Sequence, residues 1–152
     1  MNTENPPESG PQRTATSRRI VVLLVDDRPM TGELIRRLLV NEPCIELHYC
    51  QSAWDAIKKA KEIRPTVILQ DLVMPDINGL TMVRRYRETP ETKDTPVIIL
   101  TTKEDPIFVQ DALKAGANDY LVKVPNRADL VACLQKHAWL PAPEASPAPP
   151  AE

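Results

Sequence analysis

Residues 68–79 read Ile68-Leu-Gln-Asp71-Leu-Val-Met-Pro75-Asp-Ile-Asn-Gly79. The apolar run Val67-Ile68-Leu69 has the length and character of a short buried strand. It delivers Asp71 to a point where the chain must turn, because Pro75 has no N–H for a ladder and Asp76, Asn78 and Gly79 are turn formers. In a sheet with helices on both faces, the C-terminal edge of the strands is where ligands bind. A carboxylate there is a candidate for chemistry. Taken alone, Asp71 is as readily a turn or helix-capping residue, so its role depends on what the fold brings beside it.

Upstream, Ile20-Val-Val-Leu-Leu-Val25 is apolar throughout, as a central strand covered on both faces must be. Asp26-Asp27-Arg28-Pro29 follows, then a helix expected from about Met30 to Asn41, with Leu34, Ile35, Leu38 and Leu39 on one face and Pro43 beyond its end. Glu46 to Cys50 reads as the second strand. Ser52 with Asp55 has the spacing of a capping box for a helix whose buried stripe is Ala53, Ala56, Ile57, Ala60 and Ile63, ended by Pro65. Downstream of the third strand, Val67 to Asp71, come a helix from Leu80 to about Arg87 and a fourth strand, Pro96 to Thr101. Asp105-Pro106 opens a helix that stops at Gly116, Asp119 to Val122 is the fifth strand, and Asn126 with Asp129 caps a last helix through Leu130, Leu134 and His137. Strands alternating with helices predict an α/β fold: a doubly wound five-stranded parallel sheet with five helices and right-handed crossovers. The all-apolar first strand belongs in the middle, which selects the order 2-1-3-4-5.

The length suits one core, and the net charge of -2 leaves no electrostatic footprint for nucleic acid and no polybasic membrane patch. No apolar stretch is long enough to span a bilayer. Cys44, Cys50 and Cys133 form no C-x-x-C pair and read as reduced core residues of a cytoplasmic protein. Residues 1–18 are polar and Pro-rich, a disordered leader, and 140–152 form a Pro/Ala-rich tail, a linker or loose end. The ordered domain is expected over 19–139.

In the order 2-1-3-4-5 the first and third strands are neighbours, and their ends carry Asp26, Asp27 and Asp71 together. Three close carboxylates stay ionised only if a cation neutralises them. Mg²⁺ suits such a site better than Ca²⁺, since no loop has the ligand density of an EF-hand. Thr101 and Lys123 arrive at the same edge from the fourth and fifth strands. A hydroxyl and an ammonium opposite a metal-bound aspartate match the needs of an acyl phosphate, with Asp71 as nucleophile.

The set Asp26-Asp27, Asp71 with Met74-Pro75 and Gly79, Thr101, and Tyr120 with Lys123 resembles the receiver domain of two-component response regulators, over about Arg19 to Trp139. The resemblance implies Asp71 as phosphoacceptor from a histidine kinase, Asp27 as a direct Mg²⁺ ligand, Asp26 acting largely through water, and the Val73 carbonyl as a further ligand. Thr101 and Lys123 would bind the phosphoryl group, and Thr101 with Tyr120 would form the switch. Within the family, Leu69-Gln-Asp-Leu-Val-Met-Pro, Thr102-Lys103-Glu104 and Ala115 to Lys123 are most similar to the receiver half of Wsp-type diguanylate cyclase regulators. The chain departs from the family at Val124. Proline commonly follows the lysine there, after a bond that is often cis, so the loop either keeps that cis bond with valine or places Lys123 differently.

Val73 and Lys103 fall at positions that, in the family, govern water's access to the phosphoryl group, and valine cannot orient water. Slow self-dephosphorylation is expected, with no independent turnover activity. A downstream protein or a self-dimer is expected on the face of the fourth helix, fifth strand and fifth helix, with Phe108, Gln110, Lys114, Asn118 and Arg127 as candidates. Trp54 and Trp139 are expected to pack, and His48 and His137 receive no function. No effector domain is read: a cyclase Gly-Gly pair is absent and Pro141 ends the last helix, so a diffusible shuttle, phosphate sink or adaptor is expected. Two other enzyme classes fit poorly. Four scattered glycines make no nucleotide-cradling loop, and Asp26-Asp27-Arg28 lacks the Asp-x-Asp of haloacid dehalogenase-type phosphatases. The remaining alternative is a pseudo-receiver, a binding module with the fold but without phosphorylation.

Overall fold

The apolar runs are the strands of one parallel sheet. A computed structural model of the protein describes residues 19–102 and 106–138. The expected leader and tail, Trp139, Lys103 and the Asp105 cap lie outside the described residues. The elements are β1 (Ile20–Val25), α1 (Pro29–Leu39), β2 (Ile45–Cys50), α2 (Ala53–Ile63), β3 (Val67–Asp71), α3 (Gly79–Glu88), β4 (Val97–Thr101), α4 (Pro106–Ala115), β5 (Asp119–Val122) and α5 (Arg127–His137). The strand order is β2-β1-β3-β4-β5, every neighbour parallel, as the sequence predicts.

Alternation along each strand divides the interior in two. Leu23, Val25, Ile68, Val97 and Ile99 pack with Ala53, Ala56, Ala60, Met82, Val83 and Tyr86. Val22, Leu24, Val67, Leu69, Ile98 and Leu100 face the other way, onto Ile35 and Leu39 of α1 and Leu130 and Leu134 of α5. Burial on both faces is why β1, β3 and β4 carry no alternating polar residues. It also fixes register, since a one-residue slip would exchange the two sets.

Several helix ends differ from the sequence reading, each for a local reason. α1 begins at Pro29, because a proline at the first helical position gives up an N–H that has no partner there anyway. It stops at Leu39 rather than Asn41. Ser52 Oγ accepts from the Trp54 N–H at 3.2 Å, while the Asp55 N–H goes to the Ser52 carbonyl, so the capping box is only partly formed. α2 ends at Ile63 with Arg64 left-handed (φ 51°), consistent with the ban on helical geometry before Pro65. α3 starts one residue early at Gly79, where a Cβ would lie 2.6 Å from the Asp71 carbonyl oxygen. Only glycine lets the helix approach the end of β3 so closely. β2 starts at Ile45 and β4 at Val97. Two residues expected inside are at the surface: Cys44 is exposed, and Trp54 is 61% exposed, with the Arg85 guanidinium 5.5 Å from its ring centroid.

Two polar devices hold α3 in place. Tyr86, fully buried, donates from its hydroxyl to Gln70 Oε1 at 2.7 Å, and Gln70 Nε2 donates to the Asp71 carbonyl at 3.1 Å. Removing the hydroxyl strands a buried acceptor. Tyr86→Phe is therefore expected to lower stability by about 1–3 kcal/mol in urea unfolding with an unchanged m-value; no loss would mean Gln70 finds another donor. Arg87 fans its guanidinium over the carbonyls of Thr92, Thr95 and Gly116 and Asn118 Oδ1, at 2.7–3.2 Å. That ties the end of α3 to the loops entering β4 and β5.

Candidate functional site

Register places the chemistry. Val25 pairs with Gln70, which puts Asp26 level with Asp71, and Thr101 pairs with Val122, so Lys123 is the next residue out on β5. Asp26 is fully buried, and its Oδ1 accepts the Arg28 N–H at 2.8 Å, closing the turn after β1. The end of β2 supports that turn: Tyr49 donates its hydroxyl to the Asp26 carbonyl at 2.7 Å and Gln51 Nε2 donates to the Asp27 carbonyl at 3.2 Å. Sequence reasoning missed both, because neither side chain belongs to a recognisable motif.

Carboxylate oxygens of Asp26, Asp27 and Asp71 lie within 4.8 Å of one another. Lys123 Nζ reaches two of the three, 2.6 Å from Asp26 Oδ2 and 3.0 Å from Asp71 Oδ1. The Lys123–Val124 peptide bond is cis, and Lys123 stands at the site. Thr101 is buried and lines, with Arg28, Asp71, Val73, Thr102 and Lys123, a cavity of about 120 Å³. Val73 is exposed. Burial, then the neighbouring Asp26 charge, pushes the Asp71 carboxyl up to about 6 against the pull of Lys123 and the Val73 backbone.

The donor set fits Mg²⁺. Asp27 Oδ1 is buried without a hydrogen bond, and Asp26 Oδ2 has no neutralising partner but the lysine. One ammonium against three carboxylates leaves two negative charges in excess, on hard oxygen donors of the kind Mg²⁺ takes.

The expected output face divides. Tyr120 is half-buried and borders a groove of about 370 Å³ with Pro106, Val109, Gln110 and Leu113, between α4 and β5. Phe108 and Lys114 are exposed. Asn118 and Arg127 are exposed too, and each also makes a contact within the fold. Asn118 Oδ1 is occupied by the Val97 N–H and Arg87, a structural duty, and Arg127 pairs with Glu42, just past α1. His48 and His137, given no role, pair with Glu46 and Asp119.

The sequence matches the response regulator receiver domain family over residues 22–135. The chain belongs to that family. A chemotaxis protein CheY homolog of Campylobacter jejuni is 33% identical over 105 residues, spanning 67% of this chain and 79% of that protein. Among solved structures, the chemotaxis protein CheY4 of Vibrio cholerae superposes with a TM-score of 0.73 at 30% identity, covering 78% of this chain and 98% of that one. The receiver domain of the Pseudomonas aeruginosa sensor histidine kinase PA1611, described with magnesium in its active-site cleft, gives 0.71 at 28% identity, covering 79% and 98%. Among the described residues of this receiver no helix is long and apolar enough to cross a membrane.

Proposed function

We propose that this receiver accepts a phosphoryl group on Asp71 from a histidine kinase, with Mg²⁺, and passes the signal to a protein partner in the cytoplasm. The observation that carries the reading is the meeting of three carboxylates and one ammonium at the C-terminal edge of the sheet. An Asp71 carboxylate oxygen attacks phosphorus, forming the O–P bond as the donor's N–P bond breaks and the imidazole leaves. Asp27, Asp71 and the Val73 carbonyl would hold Mg²⁺, with Asp26 acting largely through water. The ion, when bound, offsets negative charge on the phosphoryl oxygens. Lys123 moves from the carboxylate pair to the transferred group, and the Thr101 hydroxyl donates to it. Drawing Thr101 inward frees space for Tyr120 to turn, changing the groove beside α4.

A downstream protein or second copy would read that face through Gln110 and Lys114. Intact mass after incubation with acetyl phosphate tests the proposal: a gain of one phosphoryl group with Mg²⁺ and none in EDTA is expected. No gain with Mg²⁺ in folded protein would favour the pseudo-receiver. Val73 offers no polar side-chain atom to hold an attacking water at the cavity rim. The phosphorylated form should therefore persist for minutes or longer at room temperature, and decay within seconds would contradict this.

A further inference from the structure

The opposite end of β5 carries a second cluster. Cys133 and His137 are four residues apart on α5 and so share one face of the helix. That face lies against Asp119, the first residue of β5. A ligand atom from each of Asp119, Cys133 and His137 falls within 4.8 Å of the other two, and His137 Nε2 is 2.7 Å from Asp119 Oδ2. Asp119 is oriented from its other side, since its Oδ1 accepts the Tyr120 N–H at 2.8 Å. Cys133 is buried, at 9% exposure, while the His137 side chain is 17% exposed, so the cluster has a dry floor and a wet rim. The Cys50 thiol, by contrast, already donates to the Ser52 carbonyl at 3.1 Å.

We infer that Asp119, Cys133 and His137 form a binding site for a thiophilic divalent cation, of which Zn²⁺ is the expected occupant. Thiolate, imidazole and carboxylate are the ligand types zinc takes in a tetrahedron, at about 2.0–2.3 Å, with water in the fourth position. Donors that close need only to part slightly, the ion replacing the His137–Asp119 hydrogen bond. The Cys133 thiol proton passes to solvent as the sulfur–metal bond forms. The site differs in kind from the carboxylate cluster around Asp71, which has no sulfur or nitrogen donor apart from a lysine and selects a hard ion. A bound ion would pin the last turn of α5 to the start of β5, one residue from Tyr120.

Co²⁺ added to the full-length, untagged, reduced chain is the probe. A thiolate-to-cobalt charge-transfer band with tetrahedral d–d absorption is expected, displaced by one equivalent of Zn²⁺ and unaffected by excess Mg²⁺. Cys133→Ser and His137→Gln should each weaken Zn²⁺ binding by more than the ~10–100-fold that losing an outer-shell partner costs. His137 lies at the rim, so its variant keeps the fold even if Cys133→Ser does not. Cys44→Ser and Asp71→Asn should retain the band, the latter separating this site from phosphorylation. Absence of the band in folded wild type, its survival in His137→Gln, or its loss in Cys44→Ser would each overturn the assignment.

Discussion

Asp71→Asn is expected to take up no phosphoryl group from acetyl phosphate and Mg²⁺ under conditions where the wild type gains one. The effect should be all or none, because an amide is no nucleophile and neither remaining aspartate is placed to substitute. Asp26 is fully buried, with one oxygen engaged by the Arg28 N–H and the other 2.6 Å from Lys123, and Asp27 is the carboxylate with an orphaned buried oxygen, suited to a cation. Lys123→Ala tests a different step. The nucleophile survives, but the charge set against the phosphoryl oxygens is lost, and the rate should fall about 10²–10³-fold, as when one oxyanion donor is removed. Intact-mass time courses separate the two. Uptake by Asp71→Asn at the wild-type rate would move the acceptor to another residue. A Lys123→Ala variant as fast as wild type would reduce the lysine to an ion-pair partner.

How much of this was legible in the sequence follows from the range of the forces involved. Ile20–Val25, Val67–Leu69 and Val97–Leu100 announce themselves because burial on both faces leaves an unbroken apolar run. Once β1 is central, register alone brings Asp26 level with Asp71 and sets Lys123 one residue past the Thr101–Val122 pair. The site was therefore readable as topology. What stayed hidden depends on side chains meeting across long separations. Arg87 looks like an ordinary basic residue in a helix's last turn, where it would favour the dipole, yet its guanidinium bonds carbonyls as distant as Gly116. Asn118 is at the surface, yet its Oδ1 also accepts the Val97 N–H. Trp54 was expected to pack, but the stripe of α2 is filled by Ala53, Ala56 and Ala60, which leaves the indole outside. His137 lacked a partner at metal spacing until β5 brought Asp119 to it.

Removing Mg²⁺ should destabilise the wild type in a pH-dependent way that Asp71→Asn escapes. Without metal, burial and the Asp26 charge hold the Asp71 carboxyl at about 6, above its ordinary 3.8. A raised folded-state value means that the native chain binds more protons than the unfolded chain between these two values, so stability falls as pH rises through that window. Below it the carboxyl is protonated in both states and nothing is lost. Above it the penalty is complete, about 2 kcal/mol after allowance for screening at the open side of the cavity. Metal-free Asp71→Asn, which never ionises there, should be the more stable protein above about pH 6, with the gap closing toward pH 4. Mg²⁺ should reverse the order. An ion that binds only the native state should stabilise the wild type by about 2.7 kcal/mol at 100 times its Kd and the variant by much less. Urea unfolding at several pH values, with Mg²⁺ or EDTA, reads both effects. Equal pH profiles for the two proteins in EDTA would show that Lys123 alone neutralises Asp71, and an equal gain from Mg²⁺ would place the ion elsewhere.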